Sequence, residues 1–170
     1  MANVVITGST RGIGLGLARE FRARGHSLVI SSRGEAAVTA AVAMLAAEPG
    51  PGRISGIACD VGDRADVQAL WDGSVTALGQ VDIWINNAGL TGPKRDVLAL
   101  GDGDIAPVLA ANLWGTIYGT QIPLAAMLAQ GSGKIFNFEG FGSDGMTAPG
   151  LSIYGMTKRA VTYFTKSVNK

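Results

Sequence analysis

Two side chains near the end of the chain have types and spacing that suit proton transfer. Tyr154 and Lys158 lie four positions apart in the segment Tyr-Gly-Met-Thr-Lys, and this spacing places both on one face of a helix. A free tyrosine, with a pKa of about 10, is a poor base at neutral pH, but an adjacent ammonium group favours its phenolate. Tyr154 could then exchange a proton with a substrate oxygen. The spacing alone is weak evidence, because an exposed helix often carries such a pair by chance.

A glycine-rich segment near the start of the chain has the features of a phosphate-binding loop. It covers residues 7–14, reads TGSTRGIG and follows a short β-branched run. Glycine lets the backbone approach a pyrophosphate without Cβ clashes, and the amides and dipole of the following helix stabilise its charge. The predicted dinucleotide contacts are Gly8, Ser9, Thr10, Arg11, Gly12, Ile13 and Gly14. A second interpretation is that these glycines serve only the packing of a helix.

The end of the second predicted strand bears on the choice of cofactor. It reads Ser31-Ser32-Arg33, without the carboxylate that binds a free ribose 2′-hydroxyl. Arg33 and Arg11 could both donate charge-assisted hydrogen bonds to a 2′-phosphate. The sequence thus favours NADP(H) over NAD(H), with Ser32 and Arg33 near the ribose. In the alternative, both arginines are ordinary solvated surface charges.

These segments must be positioned by alternating strands and helices. Short β-branched runs predict strands at residues 4–7, 28–31, 54–58, 83–86 and 134–138. Apolar residues at helical spacing predict helices at residues 12–24, 35–47, 63–78, 102–128 and from about residue 152 onward. Strands separated by helices pair in parallel through right-handed crossovers. The expected fold is therefore α/β, a doubly wound parallel sheet of the Rossmann-like kind, with a ligand crevice at the carboxyl ends of the strands.

Further motifs follow the third and fourth predicted strands. Asp60-Val61 comes after the third strand, and Asn-Asn-Ala-Gly at residues 86–89 ends the fourth. TGxxxGxG, Asn-Asn-Ala-Gly, a helical Asn112 and the Tyr-x-x-x-Lys pair occur in an order typical of short-chain dehydrogenases/reductases. The chain resembles this family over nearly its whole length.

This resemblance implies roles for individual residues. Tyr154 is the expected acid/base, Lys158 its electrostatic partner and a ribose ligand, and Asn112 the residue that holds a water of a proton relay. The residues expected at the cofactor are Asp60, Val61, Asn87, Ala88, Gly89, Tyr154 and Lys158. Asn112 is alternatively a helix-interior amide bonded to backbone, and Asp60 is alternatively a cap of the following helix.

The chain departs from the family's pattern after the fifth predicted strand. Family members commonly have a serine thirteen positions before the tyrosine, but position 141 is Phe, and Glu139-Gly140 stand where paired serines are expected. Ser143 is the nearest substitute for orienting the reacting carbonyl, unless it is simply a turn residue. The loop Asn-Phe-Glu-Gly-Phe-Gly-Ser, with NVVITGSTRG, GIACDV and IWINNAG, is similar to chlorophyll b reductases. That similarity implies NADPH-dependent reduction of a formyl group on a chlorin ring to a hydroxymethyl group.

Composition limits the partners and the location. The 14 basic and 13 acidic residues give a net charge of +1, so a bulk electrostatic footprint for nucleic acid or an anionic membrane is absent. Cys59 is the single cysteine, and apolar windows fall short of the roughly 18 residues of a membrane span. One His and one Cys predict no metal site. We expect a cytoplasmic protein that acts on a small-molecule carbonyl or alcohol. A plant chlorophyll b reductase would instead be plastid-located, although we expect no transit peptide before the first strand.

The resemblance also sets expectations for the extent and assembly of the chain. Residues 1–170 should form one NADP(H)-binding domain. Family members continue beyond the Tyr-x-x-x-Lys helix with further strands and a substrate-covering loop, so we expect this domain to lack its C-terminal strands. In relatives, the helices that begin near residues 102 and 152 often form subunit interfaces, which implies a homodimer or homotetramer. An oxidoreductase is favoured, and a non-catalytic NADP(H)-binding sensor or structural subunit is the alternative.

Overall fold

A parallel sheet organises the fold. The computed structural model describes residues 1–168. Its strands are β1 (Asn3–Ile6), β2 (Ser27–Ser32), β3 (Ile54–Ala58), β4 (Ile83–Asn86) and β5 (Lys134–Asn137). They are ordered β3-β2-β1-β4-β5, and neighbouring strands pair in parallel. The predicted doubly wound parallel α/β fold is confirmed.

Helices flank this sheet. They are α1 (Gly12–Ala23), α2 (Glu35–Ala47), α3 (Arg64–Leu78), α4 (Asp102–Leu109), α5 (Gly115–Gln130) and α6 (Ser152–Val168), with a 3₁₀ turn at Val97–Ala99. The predicted strand and helix boundaries agree with these to within two residues, apart from the interruption between α4 and α5. The final two residues of the predicted last helix, Asn169 and Lys170, lie outside the described residues. Within residues 1–168, every helix is too short or too polar to cross a membrane.

The helix predicted over residues 102–128 is interrupted. A π-helical segment, Ala110–Trp114, separates α4 from α5. The flanking residues keep helical backbone angles, with φ −64° at Leu109 and −58° at Gly115. The backbone therefore stays helical on both sides of the wider turn, and the sequence pattern, read as one continuous helix, did not reveal it. Asn112 lies at the centre of this segment.

The central strands are buried on both faces, which explains their continuous apolar sequences. Val5 and Val29 share a buried cluster with Trp84 and with side chains of α3 and α5. Val4 and Ile6 belong to a second cluster with side chains of α1 and α2. Because successive side chains of a strand point to opposite faces, these two clusters lie on opposite sides of the sheet.

The winding of the chain changes direction between β1 and β4. β2 and β3 extend the sheet on one side of β1, whereas β4 and β5 extend it on the other. The helices that follow β1 and β4 therefore lie on opposite faces of the sheet, and ligands of open α/β sheets bind in the crevice at this point. The glycine-rich segment 7–14 leaves β1, and the segment 87–90 leaves β4.

Candidate active site

A cleft of about 780 Å³ opens at the carboxyl ends of the strands. Its volume is in the usual range for cofactor and ligand sites. The predicted cofactor residues that line it are Gly8, Thr10, Arg11, Gly12, Ile13, Gly14, Ser32, Arg33, Asp60, Val61, Asn87, Ala88 and Gly89. The fold thus brings together four loops that are far apart in sequence.

Other residues line the same cleft without having been predicted. They are Gly34, Ala37, Cys59, Leu90, Pro107, Ala110 and Ala111. Most are small or apolar, and such side chains carry no chemical signature in a sequence. Position next to a motif could have identified some of them, because Gly34 follows Arg33 and Leu90 follows Gly89.

The glycine loop and the segment after β4 approach each other closely. Gly8 has a φ of +62°, and a Cβ there would lie 2.7 Å from the Cα of Ala88. A Cβ on Gly14 would lie 2.8 Å from the Cα of Ser9. Gly12 differs, because its φ of +57° also requires glycine but its missing side chain faces open space. Packing therefore accounts for Gly8 and Gly14, whereas Gly12 leaves backbone accessible to a ligand.

Hydrogen bonds beneath the cleft hold these two segments together. The side-chain amide of Asn87 donates to the carbonyls of Thr7 and Gly8, both at 2.9 Å. The backbone amides of Asn87 and Ala88 donate to the Thr7 hydroxyl, each at 3.1 Å. Asn87 therefore stabilises the conformation of the glycine loop and also lines the cleft.

Ser9 lies inside the loop instead of along the cleft. It is fully buried, and its hydroxyl donates to the Ile6 carbonyl at 2.6 Å. The same oxygen accepts a hydrogen bond from the Ser31 amide at 3.0 Å. These bonds connect the glycine loop to β2. The Ser9 side chain therefore stabilises the loop from inside.

The amino end of α1 and two arginines give the cleft a positive edge. α1 begins after Arg11 without a side-chain cap, so amides of its first turn remain available to an anion. Arg11 and Arg33 are exposed, and the salt bridges found within residues 1–168 involve neither of them. Guanidinium groups without carboxylate partners suit phosphate binding.

The end of β3 places Cys59 and Asp60 in the cleft. The Asp60 carboxylate accepts a hydrogen bond from the Gly62 amide at 3.0 Å, whereas Asp63 caps α3. The alternative of Asp60 as the helix cap is therefore wrong. Burial, followed by the nearby carboxylates of Asp66, Asp60 and Asp63, raises the pKa of the Cys59 thiol to about 12. Cys59 is thus a neutral thiol at physiological pH and a poor nucleophile.

Tyr154 and Lys158 both lie on α6. Lys158 is only 6% exposed, and its Nζ donates to the Phe138 carbonyl at 2.9 Å. The same Nζ lies 5.9 Å from the centroid of the Tyr154 ring and 3.7 Å from where a Cβ on Gly89 would be. Burial lowers the pKa of Lys158, and the Glu139 carboxylate opposes that effect. The site therefore holds a poorly solvated ammonium beside a tyrosine, close to Gly89. Neither Tyr154 nor Lys158 lines the large cleft, and their contacts with the cofactor stay predictions.

Asn112 connects the π-helical segment to the loop after β4 and to α6. Its side chain accepts from the Leu90 amide at 2.8 Å and donates to the Leu90 carbonyl at 2.9 Å. It also donates to the Thr157 hydroxyl at 2.9 Å, and that hydroxyl donates to the Tyr154 carbonyl at 2.7 Å. The Asn112 side chain is thus bonded within the protein, as the backbone-bonded alternative expects. Its role in a proton relay stays a prediction.

Ser143 lies in a turn that rests against α6. Its amide donates to the Gly140 carbonyl at 3.0 Å, and its carbonyl accepts from Arg159 Nη1 at 2.8 Å. A Cβ built on Gly140 would overlap the hydroxyl oxygen of Tyr154. Gly140 is therefore a loop residue in contact with the Tyr154 hydroxyl. The catalytic role of Ser143 stays a prediction.

The fold and the Tyr154–Lys158 arrangement define a class of protein. The family model described as short chain dehydrogenase matches residues 2–170, and the chain belongs to this family. It is 40% identical over 168 residues to chlorophyll(ide) b reductase NOL, chloroplastic, of Oryza sativa subsp. japonica. The match covers 98% of this chain and 49% of that protein, so the chain spans about half the relative's length. The resemblance to chlorophyll b reductases is confirmed.

Solved structures with the same fold contain either nicotinamide cofactor. A short chain dehydrogenase/reductase from Burkholderia phymatum in complex with NAD has a TM-score of 0.91 and 29% identity over 98% of this chain and 58% of that one. A serine dehydrogenase complexed with NADP+ has a TM-score of 0.86 and 25% identity over 98% of this chain and 64% of that one. The likeness supports a nicotinamide cofactor without choosing between the two.

Proposed function

We propose that this chain contains the cofactor-binding and catalytic parts of an NADP(H)-dependent oxidoreductase that reduces an aldehyde or ketone to an alcohol, or catalyses the reverse reaction. The observation that carries the proposal is the buried ammonium of Lys158 beside Tyr154, close to Gly89 of the glycine-lined cleft. Membership of the short chain dehydrogenase family supports it.

The cleft fits a nicotinamide dinucleotide. Gly12 has a φ of +57°, and a Cβ there would have no neighbouring atom within 4 Å, so the loop leaves room for a pyrophosphate at the uncapped start of α1. Arg11 and Arg33 would bind a 2′-phosphate, and Asp60 and Val61 would border the adenine. When bound, the cofactor supplies a hydride. Residues 1–168 contain no group of three or more His, Cys, Asp or Glu side chains that could hold a metal ion, and metal independence stays a prediction.

The proton for the substrate oxygen would come from Tyr154. Transfer of that proton leaves a phenolate, which the ammonium of Lys158 stabilises. Little water screens this interaction, because Lys158 is almost completely buried. In alcohol oxidation the phenolate of Tyr154 accepts the proton and becomes the neutral hydroxyl. Asn112 supports this arrangement through Thr157, whose hydroxyl bonds the Tyr154 carbonyl.

The substrate class that we propose is a formyl or keto group on a large ring system. Its support is the 40% identity with a rice protein whose name is chlorophyll(ide) b reductase, together with the similar loop at residues 137–143. A cytoplasmic location and a homodimer or homotetramer remain predictions, and the name of the rice relative assigns that protein to the chloroplast.

A non-catalytic NADP(H)-binding sensor or structural subunit is the second candidate. One observation favours it: Gly140 contacts the Tyr154 hydroxyl where the family pattern expects a serine. The site would then bind cofactor without a side-chain hydroxyl at position 140 to orient a carbonyl.

Cofactor titration and turnover separate these functions. The full-length protein is titrated with NADPH and with NADH, and NADPH absorbance is then followed with a panel of aldehydes, ketones and chlorophyll b. Selective NADPH binding with turnover is the expected result. Binding without turnover on the whole panel would favour the sensor, and tighter binding of NADH would contradict the assignment of Arg11 and Arg33.

A further inference from the structure

The loop after β5 is held flat against α6. A Cβ on Gly142, whose φ is +97°, would lie 2.7 Å from the Cα of Gly155. One turn further along α6, Arg159 Nη1 donates to the Ser143 carbonyl at 2.8 Å. Because Gly142 and Gly155 both lack side chains, the loop backbone can contact the backbone of α6. The hydrogen bond from Arg159 then holds Ser143, the next residue of the loop. Residues 140–143 therefore have little freedom to move away from α6.

This packing brings the backbone at Gly140 against the catalytic pair. A Cβ on Gly140 would overlap the Tyr154 hydroxyl oxygen, whereas its next neighbours, Lys158 Cε and Cγ, would both be 3.4 Å away. The backbone conformation of Gly140 is not of the left-handed kind that requires glycine. The space for the Tyr154 hydroxyl, and not a backbone constraint, therefore explains why this position lacks a side chain.

We propose that Gly140 is a positioning residue for Tyr154: its missing side chain leaves the space that the tyrosine hydroxyl occupies. Position 140 consequently supplies no side-chain hydroxyl to the substrate oxygen, although the family pattern expects a serine in this part of the loop. Any second donor to that oxygen must come from outside position 140. The inference deepens the proposed function and rests on it for the part that concerns the substrate.

A double-mutant comparison tests the packing without measuring turnover. Gly140→Ala should lower the thermal midpoint of the full-length protein by roughly 2 to 12 °C, as overpacking does in a chain of this size. In the Tyr154→Phe background the hydroxyl oxygen is gone, and the same alanine should cost little. Gly145→Ala is the matched control, because Gly145 has a φ of +95° and open space around it; it should cost the same in both backgrounds. An equal loss for Gly140→Ala in both backgrounds would overturn the proposal.

Turnover then tests the consequence for the reaction. Gly140→Ser should lower kcat by about 100-fold, because displacing a reacting group by about 1 Å has an effect of this size. The Kd for NADPH should stay unchanged, since position 140 does not line the cofactor cleft. A rise in kcat for Gly140→Ser would show that a hydroxyl fits here and would overturn the proposal. If the unmodified protein shows no turnover, the proposed function fails, whereas the double-mutant comparison still decides the placement of Gly140.

Discussion

The two sides of the cleft are built in different ways. The cofactor side consists of residues 7–14, 32–37, 59–61 and 87–90, and the catalytic side consists of the π-helical segment, the loop 138–143 and α6. On the cofactor side, left-handed glycines and backbone-to-backbone contacts shape the cleft. On the catalytic side, Asn112 of the π-helical segment bonds Thr157 of α6, Lys158 bonds the Phe138 carbonyl, and the backbone at Gly140 lies against the Tyr154 hydroxyl. Backbone contacts thus shape both sides, but the catalytic side also depends on a hydrogen bond between side chains of separate elements.

The two sides also differ in how closely the chain follows its family's pattern. The glycine loop keeps the expected pattern, and Gly8 and Gly14 have no room for a side chain. The loop after β5 has Glu139-Gly140 in place of serines and still packs tightly on α6.

Removing the buried charge should have the largest effect on turnover. Lys158→Met should lower kcat by about 100- to 1000-fold, the range found when one preorganised charge-stabilising group is lost. Thermal stability should not fall, because burial already disfavours the charged form of Lys158, as its lowered pKa shows. Lys166→Met, at an exposed position of the same helix, is the control. Equal kcat values for the two variants would contradict the role of Lys158.

A glycine pair on one helix should sharpen the comparison on the cofactor side. Gly14→Ala should weaken NADPH binding strongly and lower the thermal midpoint, because its Cβ would meet the Ser9 backbone at 2.8 Å. Gly16→Ala should instead stabilise α1 by about 0.5–1 kcal/mol, since Gly16 has no neighbour within 4 Å. Calorimetry of both variants, with and without NADPH, measures the difference. Similar behaviour of the two would show that the loop does not need a glycine at position 14.

Charge removal should separate the two cofactors. Arg11→Ala and Arg33→Ala should each weaken NADPH binding by about 10- to 100-fold, since hydrogen bonds to charged groups contribute roughly 1.5–3 kcal/mol. NADH binding should hardly change. Arg19→Ala is the control, because Arg19 pairs with Glu48 at 2.8 Å and does not line the cleft. An equal loss of NADH affinity in the Arg11 and Arg33 variants would mean that they do not contact a 2′-phosphate.

The smallest expected effect concerns the pH dependence of the catalytic side. Activity that needs the Lys158 ammonium is lost as the pH rises through its pKa, which burial lowers and Glu139 raises. Glu139→Gln should therefore move the alkaline limb of the kcat profile to lower pH. Asp144→Asn, in the same loop, should leave that limb in place. A limb that stays fixed in Glu139→Gln would show that Glu139 does not act on Lys158.

The sequence located the lining of the cleft on the cofactor side because the shape of that side depends on backbone. Positive φ at Gly8 and Gly12 leaves few alternatives to glycine, and the strand-loop-helix context identifies the segment. The strand order and the cleft follow from alternating elements, so Asp60 and Asn87 could be placed beside the glycine loop before any contact was known.

The catalytic side was harder to predict because its geometry depends on loop paths. The Tyr154–Lys158 spacing predicts a shared helical face, but not the burial of Lys158 or its bond to the Phe138 carbonyl. Counting back from the tyrosine led to Phe141 and left Ser143 as the nearest substitute, whereas the loop places Gly140 against the hydroxyl. The π-helical turn around Asn112 has no separate apolar period, so the sequence did not reveal that this side chain bonds Leu90 and Thr157.

Single-turnover kinetics of Tyr154→Phe tests the central claim most directly. The variant and the unmodified protein are loaded with NADPH, mixed with an aldehyde substrate, and compared for the rate of NADPH oxidation and for NADPH Kd. The account predicts an unchanged Kd and a rate at least about 100-fold slower, because a general acid contributes roughly 100- to 10,000-fold. A rate in Tyr154→Phe equal to that of the unmodified protein would contradict proton transfer by Tyr154.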